Sequence, residues 1–267
     1  MHPPLIRDSA AQLEAQARGQ VAVCGSHGGL YPAWLAAKVA VRAVVFNDAG
    51  IGRSASGVGG LYWLGSLGIA ACAVDHMSAR IADGADMAAN GILSTVNDIA
   101  AGLGCRPGQP VREAMAHLAH AHAPQRQAIP DIGETRASIA NTGHRPAWAL
   151  DSFGLLEPRD ARAIVVTGSH GGLLGGKPDR VFDVDVFAAF FNDAGGGKDG
   201  AGFSRLPALD ERGIAGATVW CGSARIGDGR STYEDGVLSR VNETGVRLGI
   251  AEGMSARAAV ARLLGLA

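Results

Sequence analysis

Three short polar motifs occur twice in this chain, and each brings a side chain with catalytic chemistry. The motifs are Gly-Ser-His-Gly-Gly, Asn-Asp-Ala-Gly and Ser-Ala-Arg. They supply three pairs of candidate catalytic residues: His27 and His170, Asp48 and Asp193, Ser78 and Ser223. A carboxylate can orient an imidazole, and that imidazole can take the proton of a hydroxyl and make it a nucleophile. The motifs therefore predict one His/Asp/Ser constellation in each copy.

The same motifs contain residues suited to holding a substrate. A cation, Arg80 or Arg225, stands two positions after each serine and suits an anionic group on the substrate. Backbone N–H groups of the glycine pairs could hold an oxyanion, a carboxylate or a phosphate. The predicted substrate-binding residues are Ser26, Gly28, Gly29, Asn47, Arg80, Asn97, Ser169, Gly171, Gly172, Asn192, Lys198, Arg225 and Asn242.

Each motif also has a purely structural interpretation. The glycine-rich stretch could be a tight turn, and the Asn-Asp pair could form an Asx-turn. The serines could cap helices, and the arginines could pair with Asp83 and Asp228 three positions later. The recurrence of histidine in two diverged copies favours function, because a turn does not require an imidazole.

A metal site is the main competing interpretation of the histidines and aspartates. No cofactor is predicted, but His27 and His170 could join Asp48 and Asp193 in a mixed nitrogen and oxygen ligand set if the two copies face each other. A further histidine group has no equivalent in the second copy and is interpreted as a solvated helix end or linker; it comprises His117, His120 and His122.

These motifs belong to an internal duplication. His27 and His170 are 143 residues apart, whereas Asp48 and Asp193 are 145 residues apart, so the copies differ by a two-residue insertion. The pattern predicts a first repeat at residues 8–119, a linker at 120–150 and a second repeat at 151–267. Two copies in one chain commonly pack about a pseudo-twofold axis, as a homodimer would.

Within each copy, short apolar runs alternate with helical segments. This pattern predicts an α/β fold of two tandem βαβαβα repeats, with parallel sheets covered by helices on both faces. Each motif follows a strand, so all three should lie at the carboxyl edge of the sheet, where open α/β sheets bind ligands. A strand order of 2-1-3 would place the histidine between the aspartate and the serine. Residues 87–103 and 232–248 should each form one long amphipathic helix.

Composition limits the classes of function. The chain has 267 residues, 39 of them glycine, and a formal net charge of −1, which argues against nucleic acid or an anionic membrane surface as the main partner. Its four cysteines are widely spaced, which indicates neither structural zinc nor a disulfide framework. No apolar run approaches the roughly 18 residues of a membrane span, so a cytoplasmic protein is expected. The low charge is compatible with a homo-oligomer.

These features predict a small-molecule hydrolase that cleaves an amide, lactam or ester bond in a substrate with an anionic group. Two alternatives remain open. The first is a lyase or isomerase in which the histidines and aspartates transfer a proton. The second is a binding protein, without catalysis, for a small carboxylate or phosphate. The partner is a small molecule in all three.

Overall fold

The computed structural model describes residues 4–122, 129–141, 145–177 and 184–266. Strands in these ranges form a five-stranded sheet in the first half of the chain and a six-stranded sheet in the second half. The first sheet contains β1 (Leu5–Arg7), β2 (Val21–His27), β3 (Ala43–Asn47), β4 (Ala70–Val74) and β5 (Leu93–Val96). The second contains β6 (Arg136–Asn141), β7 (Pro146–Leu150), β8 (Ile164–His170), β9 (Ala188–Asn192), β10 (Ala215–Val219) and β11 (Leu238–Val241).

Helices connect the strands and pack on the sheets. Those of the first half are α1 (Leu30–Lys38), α2 (Gly59–Ser66), α3 (Gly84–Asn90), α4 (Asp98–Gly102) and α5 (Val111–Leu118). Those of the second half are α6 (Arg205–Glu211), α7 (Gly229–Asp235), α8 (Glu243–Arg247) and α9 (Ala256–Leu263). No helix among the described residues is long and apolar enough to cross a membrane.

Both sheets are mainly parallel, which confirms the predicted α/β fold in two repeated halves. Strands β1 to β4 are parallel, and β5 runs antiparallel to β4. The second half repeats this arrangement with β7 to β11 and adds β6 at the outer edge. Every residue of β3, β4, β9 and β10 is buried.

The predicted strand order of 2-1-3 is wrong. The strand before Asn-Asp-Ala-Gly, β3 or β9, lies between the histidine strand and the serine strand. Consecutive right-handed crossovers place their helices on the same face, and α1 and α2 do contact each other. Helices α3 and α5 supply apolar residues on the opposite face. Both faces are therefore covered without the reversal of strand order that the prediction assumed.

The predicted long helix at the end of each copy is also wrong. Residues 87–103 and 232–248 each contain the end of a helix, a four-residue strand and a short helix. Gly91 and Gly236 terminate the first helix, and the strand then pairs antiparallel with β4 or β10. Asn97 and Asn242 start the short helices as N-caps.

Part of the predicted linker belongs to the second sheet. Residues 120–150 include β6 and β7, and β7 pairs with β8 as β1 pairs with β2. Asp8 and Asp151 directly follow these two equivalent strands. Each repeat therefore begins with a strand that precedes the predicted boundary. Residues 123–128 and 142–144 of this segment lie outside the described residues.

The carboxyl edges of the two sheets face each other at close range. Gly50 and Gly195 have φ of +72° and +76°, and a Cβ atom on either glycine would lie 3.0 Å from the Cα atom of the other. Neither position therefore has room for a side chain. A small apolar cluster fills the junction beside them: Ala49, Ile81, Ala194, Ala201 and Ile226.

Main-chain hydrogen bonds across this junction run in both directions. The N–H of Arg53 donates to the carbonyl of Cys221 at 2.8 Å, and the N–H of Lys198 donates to the carbonyl of His76 at 2.8 Å. The two donors are equivalent positions of the duplication, as are the two acceptors. This reciprocity is what a pseudo-twofold relation between the repeats requires.

Candidate functional site

A cavity of about 470 Å³ lies between the two repeats and receives equivalent residues from both. Both duplicated Ser-His pairs line this cavity, which makes it a candidate site formed by the two repeats together. Its polar lining includes Ser26, His27, Tyr31, Glu134, Ser169, His170 and Arg205.

The two histidines reach the cavity because the end of each histidine strand is irregular. Pairing of β2 with β3 shifts register between Val23 and His27, and β8 repeats the shift before His170. Strict alternation would point adjacent side chains to opposite faces of a strand. The shift instead allows the serine and the histidine of each motif to line the same cavity.

Burial determines the charge of both rings, and backbone hydrogen bonds determine their tautomer. Nδ1 of His27 accepts the N–H of Gly29 at 3.1 Å, and Nδ1 of His170 accepts the N–H of Gly172 at 3.2 Å. Burial lowers the pKa of His27 to about 4. Burial, followed by the nearby charge of Arg205, lowers the pKa of His170 to about 3. Each imidazole is thus neutral at pH 7 and carries its hydrogen on Nε2, because Nδ1 is already an acceptor.

The glycines of the motif support the histidines. The N–H groups of Gly28 and Gly171 donate to the carbonyls of Asn47 and Asn192, both at 2.9 Å. The N–H groups of the following glycines bind the imidazoles, as described above. All four backbone donors that were predicted to hold an oxyanion are therefore used within the protein. A Cβ atom on Gly29 would lie 2.6 Å from Nδ1 of His27, so a larger residue would displace the ring.

The motif serines Ser26 and Ser169 each accept one backbone hydrogen bond at the cavity wall. Oγ of Ser26 accepts the N–H of Ala10 at 2.9 Å, and Oγ of Ser169 accepts the N–H of Phe153 at 2.9 Å. These bonds fix the oxygens while leaving each hydroxyl hydrogen as a donor. The cavity therefore contains two serine O–H groups and two imidazole N–H groups.

Arg205, at the start of α6, adds one buried cation to this lining. Its Nη2 donates to the carbonyl of Gly172 at 2.9 Å, and its Cζ lies 5.2 and 5.1 Å from the ring centroids of Phe153 and Phe191. Burial lowers the pKa of Arg205 to about 10, so it remains charged at neutral pH. Arg205 is not predicted by the repeated motifs, because its equivalent in the first copy is Gly60.

Glu134 adds a carboxyl group to the cavity and is likewise not predicted by the repeated motifs. Burial raises the pKa of Glu134, and its side chain is hydrogen-bonded to Ser152 and Tyr31. Burial likewise raises the pKa of the Tyr31 hydroxyl, with a further contribution from Glu134. A raised pKa favours the protonated form, and a carboxyl group can both accept and donate a proton in catalysis. Glu134 lies outside the duplicated motifs, so a comparison of the two copies does not identify it.

The motif aspartates lie at the junction of the repeats and do not orient the motif histidines. Oδ1 of Asp48 accepts the N–H groups of Gly50 and His76, each at 3.0 Å, and lies 3.0 Å from Nδ1 of His76. Oδ1 of Asp193 accepts the N–H groups of Gly195 and Cys221, each at 2.9 Å. These are turn-stabilising bonds of the kind expected in the structural interpretation. The imidazole beside Asp48 is His76.

The serines of the Ser-Ala-Arg motifs, Ser78 and Ser223, likewise make hydrogen bonds with the backbone. Oγ of Ser78 donates to the carbonyl of Asp75 at 2.7 Å and accepts the N–H of Ile92 at 2.9 Å. Oγ of Ser223 makes the equivalent bonds to Trp220 and Val237, at 2.7 and 3.0 Å. The structure does not bring either hydroxyl into the histidine cavity.

The predicted substrate-binding cations make ion pairs within the protein. Arg80 pairs with Asp199 of the second repeat at 2.7 Å, and Lys198 pairs with Asp86 of the first repeat at 3.0 Å. Arg225 pairs with Asp228 at 2.8 Å, as the structural interpretation expected. Arg80 and Lys198 thus connect the two repeats.

The predicted substrate-binding asparagines are buried and bonded to backbone. The side-chain amides of Asn47 and Asn192 donate to the carbonyls of Ala79 and Ala224, at 3.1 and 3.2 Å. Asn97 and Asn242 each cap a helix and bind a neighbouring strand through both ends of the amide. Neither Asn97 nor Asn242 lines the histidine cavity.

The predicted ligand set of His27, His170, Asp48 and Asp193 does not assemble. The histidines line the cavity, whereas a possible metal-binding group among the described residues comprises Asp48, Asp75 and His76. No protein-family model matches the chain, and comparisons with curated proteins and with solved structures found no significant match.

Proposed function

We propose that the protein is an enzyme that binds a small carboxylate-bearing molecule in the shared cavity and transfers a proton at the carbon next to its carbonyl group. This is the chemistry of a lyase or isomerase. The observation that carries the proposal is the pair of neutral imidazoles, each with Nδ1 bound to a backbone N–H and with Nε2 as the remaining donor.

Neutral imidazole donors suit the oxygen of a carbonyl group. When a proton leaves the neighbouring carbon, negative charge develops on that oxygen, and preorganised N–H donors in a buried site stabilise it. The low pKa values of His27 and His170 support this role, because both rings stay neutral as the charge forms. They do not support a role for either ring as the proton-accepting base.

Glu134 and Arg205 supply the other two functions that the reaction needs. The raised pKa of Glu134 supports a role as the group that takes and returns the proton. Arg205 provides a buried positive charge that would attract the substrate carboxylate. The roles differ from those predicted for the lyase or isomerase, where the aspartates shared the proton with the histidines.

The hydrolase prediction has weaker support. Its proposed nucleophiles, Ser78 and Ser223, donate their hydroxyl hydrogens to backbone carbonyls. Ser26 and Ser169 do line the cavity, but each adjacent imidazole has Nδ1 engaged and Nε2 protonated, so it cannot accept a serine proton in this state. Binding without catalysis of a small carboxylate is the second candidate function, favoured by the buried cation Arg205.

Proton exchange separates these functions. The purified chain would be incubated in D₂O with pyruvate, acetoacetate, oxaloacetate and 2-oxoglutarate, and deuterium incorporation next to the carbonyl would be followed by NMR. We expect at least one acid to exchange faster with the protein than in buffer. Glu134→Gln should reduce that exchange about 100-fold or more but retain ligand binding. Arg205→Met should weaken binding about tenfold or more.

The exposed residue His120 provides a matched control, because His120→Ala changes a histidine outside the cavity and should leave exchange unchanged. Binding of an acid without exchange above the Glu134→Gln rate would favour the binding function and reject the enzyme. Absence of binding by all four acids would reject the proposed substrate class.

A further inference from the structure

We propose that Asp48, Asp75 and His76 form a binding site for a divalent transition-metal ion at the junction of the repeats. One ligand atom from each residue lies within 4.8 Å of the other two. None of the three residues lines the histidine cavity, so this site is separate from the proposed catalytic site.

The approach of two carboxylates to one imidazole nitrogen is the main evidence for an ion. Nδ1 of His76 lies 3.0 Å from Oδ1 of Asp48 and 3.3 Å from Oδ1 of Asp75. A ring nitrogen carries at most one hydrogen, so it can donate one well-directed bond and not two. A cation can bind the nitrogen lone pair and both carboxylates at once, and it also offsets the repulsion between the two carboxylates.

The separations also match those between ligands on one metal ion. Bonds of about 2.1 Å to nitrogen and oxygen, at angles of about 90° to 110°, place neighbouring ligand atoms about 3.0 to 3.4 Å apart. The Asp48 side chain is only 3% exposed, whereas the Asp75 side chain is 47% exposed. An ion could therefore enter from the Asp75 side and retain water as its remaining ligands.

The ligand set belongs to the first copy alone. Trp220 and Cys221 occupy the equivalent positions of Asp75 and His76 in the second copy. One imidazole with two carboxylates is a donor set suited to Zn²⁺, Co²⁺ or Ni²⁺, whereas Mg²⁺ and Ca²⁺ prefer oxygen alone. The structure thus points to one ion per chain.

An ion at this position would stabilise the contact between the repeats. A Cβ atom on Gly195 would lie 2.7 Å from Cδ2 of His76, so the ring edge packs directly on the second repeat. The carbonyl of His76 also accepts the N–H of Lys198 at 2.8 Å. Because an ion that binds only the folded chain favours folding, its binding should raise the melting temperature.

Calorimetric titration of the EDTA-treated and dialysed full chain with Zn²⁺ and Co²⁺ tests this site. We expect one equivalent to bind, a visible absorption band with Co²⁺, and a higher melting temperature with either ion. Asp75→Asn and His76→Ala should weaken Zn²⁺ binding at least 100-fold and abolish the thermal shift. Mg²⁺ at the same concentration should have no effect.

Asp75→Asn is the more informative variant, because the Asn oxygen can still accept the N–H of Met77 that Asp75 now accepts at 2.8 Å. Its melting temperature without metal should equal that of the wild type. His120→Ala controls for binding by exposed histidines and should retain full affinity. The proposal is rejected if the wild type binds neither ion, or if Asp75→Asn and His76→Ala bind Zn²⁺ as tightly as the wild type.

Discussion

His27 and His170 are separated by 143 residues in the chain, yet they line one cavity, and a charge on His27 would lower the pKa of His170. Each ring is bound at Nδ1 by the N–H two residues later. The pair therefore presents two N–H donors that stay uncharged, instead of the two independent bases that the motifs suggested.

Stability should fall as the pH is lowered from about 6.5. An unfolded histidine takes up a proton near pH 6.5, whereas folded His27 and His170 resist it down to about pH 4 and about pH 3. The contribution of the two neutral histidines to the free energy of unfolding is thus fully present above pH 6.5. It is lost as the pH falls toward the pKa values of the folded state. Each histidine can lower the free energy of unfolding by up to about 1.4 kcal/mol for each pH unit of acidification. Urea unfolding at pH 5, 6 and 7 measures this loss.

The double variant His27→Gln/His170→Gln provides the comparison for the acid effect, since glutamine keeps an amide donor and does not titrate. Its free energy of unfolding should change much less between pH 7 and pH 5 than that of the wild type. If the free energy of unfolding changed equally with pH in the two proteins, neither histidine would be held neutral by the fold.

Gly57→Ala should destabilise the protein by about 3 kcal/mol or more. A Cβ atom at Gly57 would lie 2.2 Å from the carbonyl oxygen of Asp48, and backbone cannot yield as a flexible side chain would. Gly59→Ala is the matched control, because nothing lies within 4 Å of its Cβ position and alanine suits the first turn of α2. Similar melting temperatures for the two variants would contradict the close approach of Gly57 to the Asp48 carbonyl.

Asn97→Ala should cost about 3 kcal/mol or more, because it leaves several buried backbone groups without partners. The Asn97 amide accepts the N–H groups of Ala71 and Ala100, at 3.1 and 3.0 Å, and donates to the carbonyl of Ile69 at 2.8 Å. Asn90→Ala, at an exposed position, removes only the hydrogen bond to Asp86 at 2.7 Å and should cost less, about 1 kcal/mol. Chemical denaturation measures the free energy of unfolding of both variants. A loss of only about 1 kcal/mol for Asn97→Ala would mean that Asn97 acts only as a helix cap.

Ser78 and Ser223 should resist a fluorophosphonate probe in the folded protein. Both hydroxyls donate to backbone carbonyls at 2.7 Å, and neither lines the cavity. Mass spectrometry after labelling identifies any modified residue, and denatured protein shows the background reaction. Modification of Ser78 or Ser223 in the folded chain would contradict this expectation and support the serine hydrolase prediction.

Repetition in the sequence located the histidines and the junction, but it could not find residues that occur once. Three motifs at a shared sheet edge were predictable, because each follows an apolar run of strand length. Arg205 and Glu134 were not, since their contribution depends on tertiary packing around the cavity. The strands β5 and β11 were missed because each has only four residues, lies next to short helices and forms through pairing with a distant strand.

Fusion of the repeats into one chain has a consequence at Arg205. Two identical subunits would have to place this cation on both sides of their shared cavity or on neither. Here one side has Arg205 and the other has Gly60 at the equivalent position. A molecule bound as proposed would thus meet a cation at one end of the cavity and none at the other. A molecule with a single carboxylate should bind in one orientation and present the same face to Glu134 each time.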